Sequence, residues 1–354
     1  MSRIFYGLSG EGRGHATRVR ALVERLREVH DITLFTYGDA YDLLAPLYAG
    51  STVKVKRIPG LRFRYRDGRM AFAATARGGF CYLTRELRPL VDSLTEKIRR
   101  DRPDLVITDF EPSLPRAASR CGTPLVSLDH QHALVVNDFS SLPCRLRWAG
   151  DGLGSFVRAF CKGAVRTIVS SFYAPPVKPS YLKKAVQVGV LLRPEVAAAR
   201  PERGGHLVAY LRRFAPDGLL TALKNAGIPV RVYGLGSRPS DGPLTFRAVS
   251  ETSFLHDLAS SEALVCTAGN QLVGEALHLG KPVFAIPERG NLEQAINAHF
   301  LKASGAGDAV PPQRVRTGDL WRFLDRLGAF RDAIGPGRQD GTLRAMEALA
   351  PYLT

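Results

Sequence analysis

Short apolar runs and amphipathic stretches alternate along the chain almost from its first residue. Residues 3–8 (RIFYGL) are an apolar run of strand length, and 17–29 put Val19, Leu22, Val23 and Leu26 on one side of a 3.6-residue helix. The apolar run recurs at 32–36, 53–57, 105–108 and 125–128, with a helical stretch at 82–100. Apolar runs alternating with helices predict a parallel sheet covered on both faces. Ala174–Ser180 (APPVKPS) then puts three prolines into seven residues, which neither a helix interior nor a central strand accepts, so it reads as a linker. Beyond it the alternation restarts, with strands at 206–210, 230–233, 263–266 and 283–286. Helices are expected at 216–226, 271–279, 292–303 and 320–327, and a last one at 341–349. The expectation is two doubly wound α/β domains, at 1–173 and 186–330, joined by a proline linker at 174–185. The segment 331–354 is expected to pack back on the first domain. In such folds ligands bind beyond the carboxyl ends of the strands.

Composition narrows the class. Of 354 residues 45% are hydrophobic, which excludes global disorder. No apolar run reaches the ~18 residues of a membrane span, and the opening MSRIFYGLSG reads as a strand rather than a leader. Five cysteines are scattered without CxxC or metal spacing, as expected of a reduced, cytoplasmic protein without a disulfide or zinc scaffold. The formal charge of +16 asks for an anionic partner. Through Val177 there are 27 basic and 17 acidic residues; after it, 22 and 16. The densest stretch is 54–77, where Lys54, Lys56, Arg57, Arg62, Arg64, Arg66, Arg69 and Arg77 stand against Asp67 alone, interleaved with Phe63, Tyr65, Met70 and Phe72. This suits an anionic membrane surface or acceptor better than a plain solvated loop or single-stranded nucleic acid. Contact with such an anion is expected at Arg62, Arg64 and Arg66. Residues 141–167, with Arg145, Arg147, Trp148, Arg158, Phe160 and Lys162, read as a second interfacial helix or an amphipathic core helix.

Five loops at strand ends carry the candidate chemistry. Ser9–His15 (SGEGRGH) alternates glycines and ends in an imidazole, a suitable general base. Its spacing is GxGxGH rather than the GxGxxG of a dinucleotide fold. Asp109 and Glu111 follow the strand at 105–108; they can bind hydroxyls, serve as base, or cap a helix. Asp129, His130, Gln131 and His132 follow the next strand, and no third ligand at a recognisable spacing makes them a metal site. Gly269, Asn270 and Gln271 open a helix whose N-terminus can hold a diphosphate, with Glu275 about one turn further in, where it can accept ribose hydroxyls. Glu293 and Gln294 lie in the first turn of another helix.

Residues 254–301 resemble the donor-nucleotide region of GT-B glycosyltransferases, most of all the membrane-associated N-acetylglucosaminyltransferases of peptidoglycan synthesis and their archaeal and bacterial relatives. The likeness rests on Ala268-Gly269, Glu275, Gly280-Lys281-Pro282, Ile286-Pro287 and Gln294-Ala295-Ile296-Asn297-Ala298, in that order. The GEGRGH loop and Val188–Arg193 (VGVLLR) resemble further segments of that family. The resemblance implies a GT-B fold, two Rossmann-like domains facing across a cleft. It implies an inverting, metal-independent sugar transfer from a nucleotide-diphosphate donor, most often a UDP-sugar, to a hydroxyl of an anionic or lipid-linked acceptor. Glu275 would hold the ribose, Gly269, Asn270, Gln271 and Arg193 the diphosphate, and Glu293 and Gln294 the sugar. His15 would act at the acceptor side, with Asp109 competing for the base role and acceptor contacts at Gly12, Arg13, Gly14, Glu111, Asp129 and His132. One departure is the segment Leu211-Arg212-Arg213-Phe214, where the family carries a glycine loop; Arg212 or Arg213 would supply charge there instead. No cofactor is expected beyond the sugar nucleotide. The expected place is the cytoplasm, peripheral on the inner face of the membrane, with nucleic acid not expected as a partner. The rival readings are a sugar-nucleotide epimerase or hydrolase on the same fold, and a non-catalytic nucleic-acid-binding protein.

Overall fold

The computed structural model describes residues 1–353 apart from 62–64, 67–68, 213–214, 217 and 336–339. Arg62, Arg64 and Arg213 therefore lie outside the described residues, as does the side chain of Arg66. The chain forms two compact units. The first comprises Met1–Arg66, Met70–Pro194 and Gly341–Thr354; the second is built on Glu195–Asp340.

The first unit holds β1 (Arg3–Leu8), β2 (Asp31–Thr36) and β3 (Lys54–Arg57), a two-strand ribbon of β4 (Tyr65–Arg66) and β5 (Arg69–Met70), then β6 (Leu105–Asp109), β7 (Leu125–Asp129), β8 (Arg166–Ser170) and β9 (Ala185–Val188). Seven of these make one sheet in the order β3-β2-β1-β6-β7-β8-β9, parallel throughout. Period-2 alternation explains its two cores. Ile4, Tyr6 and Leu8 of β1 face the helix Arg13–Leu26 through Val19, Leu22 and Leu26. Phe5 faces the other way, with Val91, Leu94 and Ile98 of the helix Leu87–Asp101.

The second unit repeats the plan with β10 (Leu207–Tyr210), β11 (Val230–Tyr233), β12 (Leu244–Arg247), β13 (Ala263–Cys266), β14 (Val283–Ala285) and β15 (Gly307–Ala309). These form a parallel six-stranded sheet in the order β12-β11-β10-β13-β14-β15. In both sheets the chain starts in the middle, runs to one edge, then crosses back. That reversal leaves a crevice at the carboxyl ends of β1 and β6 in one unit and of β10 and β13 in the other, the switch points where doubly wound folds bind ligands.

The proline-rich segment is not the boundary. Asn137 Nδ2 donates to the Pro175 carbonyl at 2.8 Å and Lys178 N to the Val136 carbonyl at 2.8 Å, so the segment is bound to the first unit and leads into β9. The first unit runs on to Pro194, which leaves Arg193 closing it rather than opening the second. The polypeptide also returns: the helix Thr342–Leu349 buries Ala345 and Leu349 in the first core. The helix Cys144–Phe160 buries Gly150, Gly154, Val157 and Phe160 and leaves Trp148 and Phe156 exposed.

Thr342 Oγ1 accepts from Leu192 N at 3.0 Å, in full burial, and ties the returning helix to the sheet. Thr342→Val removes the acceptor and leaves that amide unsatisfied. It should destabilise the first unit by about 1–3 kcal/mol, seen as a lower melting midpoint by circular dichroism.

Candidate functional site

Between β1 and the first helix the glycines have separate reasons. A Cβ on Gly10 would stand 2.0 Å from the Tyr37 carbonyl oxygen, so Gly10 is demanded by packing against the end of β2. Gly12 enters the helix at φ 72, where an L side chain is strained. The helix therefore begins at Arg13, four residues before the apolar periodicity becomes visible, and His15 belongs to its first turn. Gly12 is buried, while Arg13 and Gly14 lie exposed on that turn.

The first turn delivers His15 to the end of β6. Its Nδ1 lies 2.8 Å from Oδ1 of Asp109, a residue with no exposed surface. Arg18, three residues on and so on the same helix face, closes over the same carboxylate. Its Nε donates to Oδ2 at 2.9 Å and its Nη2 to Oδ1 at 2.6 Å, and Nη2 lies 3.1 Å from His15 Nδ1. Burial alone would favour loss of the Arg18 proton, but the Asp109 charge and hydrogen bonds outweigh it and hold the guanidinium more firmly protonated than usual. Phe110, directly after, adopts a left-handed φ of 54. Such strain costs on the order of 1–3 kcal/mol and collects at functional sites. It lays the Phe110 ring parallel to His15 with centroids 6.5 Å apart, and against Phe160 at 4.8 Å.

At the neighbouring strand end Asp129 is also fully buried. The His132 amide donates to its Oδ1 at 2.7 Å; Ser127 Oγ (2.9 Å) and His132 Nδ1 (2.7 Å) reach its Oδ2. Burial pushes this carboxyl up, yet the His132 charge and hydrogen bonds overcome it and bring it down to about 2. Glu111 is used differently. Its Oε1 accepts from the Ser113 amide and hydroxyl and its Oε2 from the Leu114 amide, so both oxygens serve the start of the helix Ser113–Cys121, and burial raises its pKa. His130 sets its ring edge-on to Tyr173. Among the described residues no group of three or more His, Cys, Asp or Glu has the arrangement of a metal site.

In the second unit the helix Asn270–His278 follows β13. Among the described residues no side chain caps its N-terminus, and a Cβ on Gly269 would meet nothing within 4 Å. The turn thus has open space above it and amides directed outward, the arrangement that receives a phosphate. One turn in, Glu275 is buried rather than solvated, and Gln271 Nε2 donates to its Oε1 at 3.1 Å. After β14, Asn291 caps the helix Leu292–Ala303 by accepting from the Gln294 amide at 3.2 Å. Gln294 Oε1 turns back to accept from Glu288 N at 2.7 Å, while Glu293 stays half-buried. Asn297 donates to the Ala268 carbonyl at 2.9 Å and so fixes this helix to the Gly269 turn. Arg212, just beyond β10, pairs with Glu288 at 4.0 Å.

The sequence model of glycosyl transferase family 1 matches residues 2–328, nearly the whole chain. The protein belongs to glycosyl transferase family 1. An uncharacterized glycosyltransferase of Methanosarcina mazei is 24% identical over 342 residues, covering 88% of this chain and 87% of its own. The Arabidopsis thaliana glycosyltransferase UGT89C1, solved with UDP-L-rhamnose, superposes with a TM-score of 0.67 at 13% identity over 100% of this chain and 99% of its own. Acinetobacter baumannii MurG gives 0.62 at 15% identity, over 99% and 100%. The two solved structures establish the likeness of fold: this glycosyltransferase is a GT-B enzyme with a parallel-sheet α/β architecture in each unit.

Two residues of the first site escape a reading of the loops alone. Arg18 sits on a helix face read as apolar, and only its i,i+3 spacing from His15 signals it. Tyr6 looks like an ordinary strand aromatic. Its hydroxyl is buried without a hydrogen-bond partner among the described residues, and burial followed by the nearby Asp109 charge holds it firmly protonated.

The depressed Asp129 carboxyl makes a pH prediction for the glycosyltransferase. A folded-state value below the ordinary 3.8 means that the native state binds fewer protons than the unfolded one. The stabilisation is complete above the ordinary value and is lost as pH falls towards about 2. The drop in melting temperature between about pH 6 and about pH 2.5 should therefore be smaller in Asp129→Asn than in wild type.

Proposed function

We propose that this glycosyltransferase moves a sugar from a UDP-sugar to a hydroxyl of an anionic, lipid-linked acceptor, with inversion and without a metal. The observation that carries the reading is the His15–Asp109 pair at 2.8 Å, placed at the switch point of the first sheet. Asp109 has no exposed surface and both its oxygens are engaged, so it supports His15 rather than competing with it for the acceptor proton. With Nδ1–H donated to Asp109, Nε2 of His15 takes the proton of the acceptor hydroxyl. The oxygen then attacks the anomeric carbon from the face opposite the leaving nucleoside diphosphate, which inverts that centre. The charge growing on the diphosphate is met by amides at the start of the helix Asn270–His278, with Arg212 as a further source of positive charge. Glu275 accepts from the ribose hydroxyls, exchanging its present Gln271 contact for them. Glu293 and Gln294, at the start of the helix Leu292–Ala303, suit the donor sugar. UDP-L-rhamnose in the Arabidopsis neighbour supports a UDP-sugar as donor class.

The acceptor side of the proposal draws on charge. Residues through Val177 carry ten more basic than acidic side chains, and the densest run is 54–77. Such a run favours an anionic acceptor and the anionic inner face of a membrane, at ~1 kcal/mol per basic residue near the surface. No helix among the described residues is long and apolar enough to cross a membrane. His132, held by the fully buried Asp129 at the neighbouring strand end, is the further acceptor contact in this reading.

Two experiments test these assignments. His15→Ala should lower sugar transfer about 10²–10⁴-fold while leaving UDP affinity unchanged by isothermal titration calorimetry. Glu275→Ala should weaken UDP binding at least about tenfold, and equal affinity in the variant would remove the donor assignment. Separately, replacing Arg62, Arg64 and Arg66 together by Gln should reduce co-sedimentation with phosphatidylglycerol vesicles at low salt and spare UDP binding. Unchanged sedimentation would locate the anion contact elsewhere.

A further inference from the structure

The His15–Asp109 pair does not stand alone, and its third member is the buried cation Arg18. A buried carboxylate needs donors on both oxygens, and the group that supplies them also fixes the direction in which the carboxylate meets the ring. Among the described residues two polar side chains lie within hydrogen-bond distance of the ring. Arg18 lies on its own helix and Asp109 ends β6. Asp129 ends β7 and has His132 as its own partner. Phe110 stacks on the ring and brings no charge.

We propose that Arg18 is a positioning residue for the base: its two-point clamp orients Asp109 so that Oδ1 meets His15 Nδ1 and the Nε2 lone pair is left available. The distances carry this. Both Asp109 oxygens are held, at 2.9 and 2.6 Å, so the carboxylate plane cannot rotate. Oδ1 is then the acceptor on which Nη2 and Nδ1 converge, and the 3.1 Å between those two nitrogens follows from sharing it. That contact also defines the competing state. A ring with its proton on Nε2 would accept from Arg18 through Nδ1 and lose its use as a base. The shorter bond to an anionic oxygen favours the Nδ1–H form. The inference rests on His15 being the base, but its test does not depend on turnover.

Nitrogen-15 spectra of the full-length protein, labelled at histidine and assigned with His15→Gln, read the tautomer and the charge of the ring. In the wild-type protein the ring should carry its proton on Nδ1. In Arg18→Met, which removes charge and fork, and in Arg18→Lys, which keeps the charge without the fork, the ratio of Nδ1–H to Nε2–H forms should fall at least about tenfold. UDP titration should give wild-type affinity in both variants. Spectra identical to wild type in Arg18→Lys and Arg18→Met would overturn the proposal. If Arg18→Met fails to fold by circular dichroism, Arg18→Lys decides alone: an unchanged tautomer ratio rejects the clamp. The reading of His15 as base fails by a different result, full transfer activity in His15→Ala, whatever the spectra show.

Discussion

A carboxylate buried at the end of a strand has to be compensated, and the first unit is organised around doing so for Asp109. Burying a charge without partners costs several kcal/mol, so the fold must bring a cation and hydrogen-bond donors to that point. Arg18 meets the demand from inside a helix whose buried residues, Arg20 apart, are otherwise apolar, and His15 meets it from the first turn. The left-handed backbone at Phe110 is tolerated in the same place and sets an aromatic wall beside the imidazole. One buried charge thus accounts for the buried arginine, for the orientation of the histidine, and for a position where strain is useful.

The second unit solves a different problem with the same sheet order. There the helix start after β13 carries no side-chain cap among the described residues, and the space above Gly269 is open. Glu275 is buried and accepts from Gln271, and Arg212 pairs at a distance with Glu288. The first unit thus holds its buried charges in pre-formed pairs, whereas the second leaves helix amides uncapped beside open space among the described residues. Membership of glycosyl transferase family 1 joins the two halves into one activity.

Much of the core sheet is legible because its strands are continuous apolar runs. β1, β11 and β13 fall on the residues their hydrophobicity marks, as does the helix Leu292–Ala303. Several strands at or next to the sheet edges are not. β8, β9, β12 and β15 are short and carry polar or charged residues such as Arg166, Gln187, Thr245 and Asp308, which a strand near a sheet edge tolerates and an apolar pattern does not reveal. The prolines at 174–180 mislead for a related reason. Proline forbids a helix, but it does not forbid a connection pinned through its carbonyls to Asn137 within one unit.

The chemistry divides in the same way. The sequence by itself determined which residue types stand at which strand ends: an imidazole after β1, acids after β6 and β7, and a glycine turn after β13. Those placements are local, set by hydrophobic period and turn chemistry. Tertiary structure decided which of these groups meet. Arg18 and Asp109 are 91 positions apart, and nothing near either residue announces the other. Glu111, two residues from Asp109, went to a helix start instead, because its two oxygens reach the amides of Ser113 and Leu114. A side chain's partner is chosen by burial and by distance in space, and one stretch of chain contains neither.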